Sequence, residues 1–307
     1  MFTSTLTAGN TTMKQYLSLM RPKHWIKNSF IFLPLFFSGE VFNVDKLLSC
    51  LAGFVAFSFI ASSIYIINDY RDIEADKLHP VKSLRPLASG AVSKKAAITI
   101  FLICVALGLT AAAIIKTKFL FVLMIYFAMN LGYSFGLKNI SILDIVLVAM
   151  GFVLRIKAGG VLAFVGISQW LMIMVFLLAM FMAIAKRRDD VLIKLESGLD
   201  MRKAVKGYNL EFLNVMLSLF TAIIIIAYLM YTISPEVMAQ WKTYRLYYTS
   251  LFVVVGLMRY LQITFIDKDS GSPTDLLYKD KFLQVTMILW IISFYSIIYL
   301  PDVSIFK

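Results

Sequence analysis

Four acids fall within eight residues, Asp69, Asp72, Glu74 and Asp76, directly after Asn68 at the end of an apolar run. If a helix continues through them, Asp69, Asp72 and Asp76 stand at i, i+3 and i+7. At 100° per residue they lie within about 60° of one another, and Glu74 points elsewhere. Three carboxylates on one face repel each other strongly at a low-dielectric boundary. A hard cation relieves that repulsion, and Mg²⁺ prefers carboxylates together with substrate phosphate oxygens. The plainer reading is a solvated acidic loop.

A basic run follows: Lys77, His79, Lys82 and Arg85, with Pro80 and Pro86 between them. Cations beside a metal-binding carboxylate set suit a polyanion that carries more charge than the metal neutralises. The same run is equally a positively charged loop with no ligand. A third cluster is Lys186-Arg187-Arg188-Asp189-Asp190, in which Lys186, Asp189 and Asp190 share a helix face. It reads either as an anion site or as a charged helix end at a membrane interface. The fourth feature is Arg155, with Lys157, deep inside an apolar stretch. A cation at Arg155 is expensive and by default marks a cavity or a partner, whereas Lys157 reads equally as snorkelling toward the outer interface. Asp144, eleven residues back along the same helix, is too far away to be that partner. Arg259 reads as snorkelling or as lining the same cavity.

The elements that position these residues are membrane spans. Of 307 residues, 60% are apolar and 16% charged, with a mean hydropathy of +0.80. Soluble domains carry roughly 25% charged residues. This excludes a soluble globular enzyme, a disordered chain and a disulfide-stapled secreted domain. Nine spans are expected, near 28–44, 47–67, 96–115, 119–137, 140–164, 170–185, 212–233, 246–266 and 282–300. Pro34 interrupts the first. Residues 1–27 read as a polar tail without a signal-peptide core, followed by a surface-lying helix, and 28–300 as one nine-helix bundle. The fold expected is therefore all-α and integral to the membrane, a single domain over 1–307.

Twenty-one of the thirty Lys and Arg fall on one side of these spans and six on the other. The positive-inside rule then places the N-terminus in the cytoplasm and the C-terminus outside. Most acids share the cytoplasmic side, so the chemistry is expected at the cytoplasmic face of a bacterial-type inner membrane. The net charge of +12 reads as loops facing anionic lipid or a phosphorylated substrate, with nucleic acid set aside. Cys50 and Cys104 sit in apolar runs and read as small hydrophobes.

Asn68-Asp69-x-x-Asp72-x-x-x-Asp76 at the end of the second span resembles the first aspartate motif of the UbiA superfamily of intramembrane prenyltransferases. The likeness covers about residues 14–300. It is closest to the decaprenyl-phosphate phosphoribosyltransferase branch. The segments that carry it are Arg21-Pro22-Lys23-x-Trp25-x-Lys27-Asn28 and Asp76-x-x-His79-Pro80-x-Lys82-x-x-Arg85-Pro86. Further on come Tyr133-x-Phe135-Gly136-Leu137-Lys138, Leu154-Arg155 with Ala158-Gly159-Gly160, Lys186-Arg187, and Arg259-Tyr260. Typical members have a second Asp-x-x-x-Asp motif between spans six and seven. This chain instead puts Lys186-Arg187-Arg188 before Asp189-Asp190, which suits phosphates held by ionic hydrogen bonds.

The resemblance implies transfer of phosphoribose from PRPP (5-phosphoribosyl 1-diphosphate) to a polyprenyl monophosphate, with release of diphosphate. The second pKa of such a phosphate is about 6, so it is already nucleophilic at neutral pH and needs no strong base. On this reading Asp69, Asp72 and Asp76 hold Mg²⁺ and Asn68 orients a ligand or the ribose. Lys82, Arg85, Lys186 and Arg187 hold PRPP phosphates. Lys27, Tyr133, Lys138 and Arg155 serve the lipid phosphate or its cavity. Two other readings stand beside it: a UbiA-type transfer of a prenyl group from prenyl diphosphate to an aromatic or quinone-precursor acceptor, and a transporter. Transporters favour ionisable groups near the midplane, whereas the acids here crowd the span ends. A homo-oligomer is left open.

Overall fold

The computed structural model describes residues 13–78, 81–197, 205, 207–267, 276 and 279–300. Among them there is no strand. Residues 13–20 form α1, and Pro22–Phe32 a 3-10 segment. There follow α2 (Leu33–Phe37), α3 (Val44–Arg71), α4 (Ile73–Lys77), α5 (Lys94–Ile115), α6 (Thr117–Phe135), α7 (Leu143–Ala163) and α8 (Gln169–Ser197). The chain continues through α9 (Leu210–Thr232), α10 (Pro235–Trp241), α11 (Ser250–Gln262) and α12 (Lys281–Tyr299).

Eight of these helices, among the described residues, are long and apolar enough to cross a membrane. The seventh of them, Arg245–Ile266, counts a 3-10 turn and a π turn on either side of α11. The span expected at 28–44 is not one helix. It divides into the end of the 3-10 segment, the five-residue α2 and a turn through Gly39 at φ 80°. Proline lacks the N–H that a continuing helix needs; Pro22 opens the first piece and Pro34 the second. A nine-span count is therefore not reproduced among the described residues. Both ends of the chain lie outside the described residues, as do His79, Pro80, Arg202, Lys203 and Lys206.

Local chemistry explains where the spans begin. Asn43, Ser93, Asn209 and Asp280 each accept a hydrogen bond from the backbone N–H three residues on, capping α3, α5, α9 and α12. Gly136 ends α6 at φ 145°, a conformation that side chains disfavour.

The chain forms two compact units: residues 1–137 with 154–167, and 138–153 with 168–307. In the first, α3 packs on α5, α6 and the 3-10 segment. Its core holds Phe57, Ile60, Phe119, Leu123, Tyr126 and Leu162. A second cluster gathers Leu19, Ile66, Ile73, Leu87 and Cys104. Cys50 and Cys104 are buried free thiols in different clusters, which is how small hydrophobes behave. Gly159 lies against the Ile31 backbone carbonyl, where any Cβ would collide. In the second unit α8 packs on α9 and α11 on α12, around Phe181, Leu213, Leu217, Tyr260 and Leu283.

Candidate functional site

In the first unit α3 stops at Arg71. Asp72, at φ −95° and ψ 7°, is both the C-cap of α3 and the N-cap of α4. This break alters the face predicted for the acids. Asp69 and Asp76 are only 3% and 4% exposed, and they converge on one guanidinium. Arg85 Nη1 donates to Asp76 Oδ2 at 2.6 Å and to Asp69 Oδ1 at 3.1 Å. Asp72 Oδ2 accepts from the Asn68 side-chain amide at 3.2 Å instead.

Arg21, to which the sequence assigned no role, completes the arrangement. Its Nη2 donates to Asp69 Oδ1 at 2.6 Å and to Oδ2 at 2.8 Å. Its guanidinium also lies 5.2 Å from the Tyr65 ring. The backbone of Arg21 is left-handed, φ 53° and ψ 56°, at the junction of α1 and the 3-10 segment. A charged residue directly before Pro22 at a helix junction was the signal available in the sequence. Buried carboxylates need such partners, because an unpaired buried charge is costly.

The Asp69 face of α3 continues toward the core as Tyr65, Ser62 and Ser58, at helical spacing. Ser62 Oγ accepts from the Trp25 indole at 2.9 Å and donates to the Met20 carbonyl. Ser58 Oγ accepts from the Asn28 amide at 2.9 Å. The Asn28 carbonyl oxygen in turn accepts from Arg155 Nε at 2.9 Å. Arg155 is 5% exposed, donates to the Tyr126 hydroxyl at 2.9 Å and lies over the Phe57 and Tyr126 rings. Lys27, Lys82 and Tyr133 are half-buried in the same unit. So this unit contains Lys27, Asn68, Asp69, Asp72, Asp76, Lys82, Arg85, Tyr133 and Arg155 from the predicted set.

Lys138, Lys186 and Arg187 belong to the second unit. Lys186 is exposed and Lys138 half-buried. Arg187, predicted to present its charge to phosphate, is 2% exposed. Its Nε donates to Asp144 in an ion pair, and its Nη1 donates to Asp190 Oδ2 at 2.9 Å. Asp144 also accepts from the Tyr208 hydroxyl at 2.7 Å. Burial, reinforced by Asp144, keeps that phenol protonated well above its ordinary range. Gly207 lies against the Ser141 side chain with no room for a Cβ. These contacts tie the end of α8 to the start of α7 and the segment before α9. Arg188 donates to Asn214 at 2.7 Å. Arg259 does not snorkel alone; it donates to Asp280 at 2.8 Å and to Gln262.

The acidic cluster of the first unit fits a hard divalent cation by its chemistry, with carboxylate oxygens and the Asn68 amide oxygen at the polar end of a span. Among the described residues no three acidic, His or Cys side chains form a cage by themselves. Mg²⁺ usually takes one or two carboxylates and completes its shell with substrate phosphates and water.

The model of the family described as "UbiA prenyltransferase family" matches residues 29–294. A decaprenyl-phosphate phosphoribosyltransferase of Corynebacterium glutamicum is 31% identical, over 92% of this chain and 86% of that protein. The protein of the same name from Mycolicibacterium smegmatis is also 31% identical, over 92% of both chains. A UbiA homologue from Archaeoglobus fulgidus, solved with GPP and Mg²⁺, superposes with a TM-score of 0.69 at 22% identity, over 92% of this chain and 99% of that one. With a family match across most of its length, eight apolar helices and relatives named as phosphoribosyltransferases, the chain belongs to the UbiA prenyltransferase family of integral membrane transferases.

Proposed function

We propose that the protein transfers 5-phosphoribose from PRPP to a polyprenyl monophosphate of decaprenyl type and releases diphosphate. The observation that carries this reading is the pairing of two buried carboxylates with two arginines at the end of α3. It supplies both a cation site and guanidinium forks that match phosphate geometry. The names of the curated relatives support the choice of substrates.

Asp69, Asp76 and Asp72, with Asn68, would hold Mg²⁺. That ion supplies charge neutralisation for the departing diphosphate when it is bound. Lys82 and Arg85 bind the phosphates of PRPP and hold C1 in line with the attacking oxygen. Arg155, on the Asn28 and Tyr126 scaffold, with Lys27 and Tyr133, directs the lipid phosphate and lines its cavity. Lys138 and Lys186 keep their sequence-based assignment as phosphate-binding cations. Arg187 is assigned to holding α8 in place.

The bond that forms joins lipid phosphate oxygen to ribose C1, and the bond that breaks joins C1 to diphosphate. Displacement from the far side inverts the anomeric configuration. No strong general base is required, since the lipid phosphate is largely dianionic at neutral pH. Catalysis is positioning and leaving-group stabilisation. Chemistry is proposed at the cytoplasmic face of the membrane, where PRPP is soluble.

The test is direct. Membranes containing the protein are incubated with ribose-labelled PRPP, polyprenyl phosphate and Mg²⁺, with EDTA as control. Label in the organic phase, absent with EDTA, is expected. No lipid-borne label, with transfer from a prenyl diphosphate to an aromatic acid, would establish the prenyl-transfer reading instead.

A further inference from the structure

Arg21 grips Asp69 end-on. One nitrogen, Nη2, donates to both carboxylate oxygens, at 2.6 and 2.8 Å. Its Nε and Nη1 make no hydrogen bond among the described residues. The side chain is 18% exposed, whereas the Asp69 side chain is 3% exposed. The guanidinium thus covers the carboxylate on one side and offers unused donors on the other. Arg85 repeats the pattern, spending only Nη1 on Asp69 and Asp76.

A divalent cation and a guanidinium compete for the same carboxylate lone pairs, and they repel each other. Asp69 cannot serve a cation fully while Arg21 holds both of its oxygens. Diphosphate, in contrast, attracts both: its oxygens complete the shell of a hard cation and match the arginine fork.

We propose that Arg21 is a diphosphate-binding residue that is stored on Asp69 until a divalent cation displaces it. The assignment rests on the reading of the acidic cluster as a cation and diphosphate site. Cation binding moves the guanidinium off Asp69, and the freed fork takes the diphosphate. Cation and diphosphate then bind as a pair, each favouring the other, as linkage requires. The arginine keeps the buried carboxylate neutralised when no substrate is present, which spares the end of α3 an uncompensated charge.

The proposal predicts opposite effects on two ligands in one variant. Purified full-length protein in nanodiscs is titrated with Mn²⁺, read by electron paramagnetic resonance, in the absence of any phosphate. Labelled inorganic diphosphate is then titrated at saturating Mn²⁺. Arg21→Gln removes the competitor, so Mn²⁺ is expected to bind about five-fold tighter or more. The same variant loses the fork, so diphosphate is expected to bind about five-fold weaker or more. A purely structural Arg21 would weaken both when removed. Unchanged or weaker Mn²⁺ binding overturns the proposal, and so does unchanged diphosphate binding. If Arg21→Gln does not fold, Arg21→Lys decides: tighter Mn²⁺ with weaker diphosphate supports the exchange, and any other result overturns it. Neither titration involves group transfer, so a failure here and a failure of the phosphoribosyl assay are separate results.

Discussion

Asn28 and Arg155 are separated by 127 positions in the chain and joined at 2.9 Å, amide oxygen to guanidinium Nε. The other end of the same amide donates to Ser58, so one side chain braces both Arg155 and α3. Substituting Asn28→Ala leaves two buried polar groups each short of a partner. A loss of about 1–3 kcal/mol in unfolding free energy is expected. Arg155→Ala should raise the KM for the lipid phosphate or stop turnover. If Arg155→Ala turns over at the unmodified rate with unchanged KM, the arginine is only structural.

The two aspartates that flank the end of α3 should fail for different reasons. Asp72→Asn alters a carboxylate that hydrogen-bonds to Asn68. It is expected to abolish label transfer with the melting temperature little changed. Asp69→Asn removes the charge that Arg21 and Arg85 share. It should abolish transfer and lower the melting temperature as well, since two cations lose their partner. Normal turnover in either variant would remove the cation assignment.

These residues also show what could be read before folding. The Asn68-to-Asp76 spacing announced a helix end rich in carboxylates because i, i+3 and i+7 is a strong signal. It could not announce the break at Asp72, which turns Asp69 and Asp76 onto Arg85. The sequence offered Arg85 as a candidate phosphate-binding cation but not as the bridge between two acids sixteen and nine residues before it. Most span positions were legible from apolar runs alone. The first was not, because Pro22, Pro34 and the buried Asn28 recruit that segment into packing on α3 instead of a helix of its own. The burial of Arg187 was not legible for a general reason: charge at a span end looks the same in sequence whether it faces water or a buried Asp144.

That burial makes a prediction about neighbours. Arg187→Ala would strand Asp144 and Asp190, and breaking a buried pair typically costs about 3–5 kcal/mol. Lys186→Ala, one residue earlier and exposed, should leave thermal unfolding unchanged within about 0.5 kcal/mol. Measuring both melts in one detergent separates structural cation from surface cation. Equal melts would mean that Arg187 is not the tie between α8 and α7.

A pH effect follows from Asp280. The hydrogen bond from Arg259 holds its carboxyl below the usual carboxylate range, helped by the backbone N–H groups at the start of α12. A depressed folded-state value means that the pair stabilises fully above the unfolded value of about 3.9. That contribution is lost as pH falls from there through the folded value. Between pH 5 and pH 3, Asp280→Asn should therefore lose less stability than the unmodified protein. Parallel acid limbs in the two proteins would show that the Arg259 contact contributes nothing.

Tyr260 gives the opposite expectation from a polar deletion. Its ring is 4% exposed and packs 5.0 Å from Phe181, while its hydroxyl is buried with no hydrogen-bond partner among the described residues. A buried hydroxyl that makes no bond carries its desolvation penalty with nothing in return. Tyr260→Phe keeps the ring contacts and removes only that oxygen. The variant should unfold at the same temperature as the parent or a few degrees higher. A clear drop, measured under identical detergent conditions, would show that the hydroxyl has a partner such as an ordered water. The two outcomes decide whether the core around Phe181 is dry.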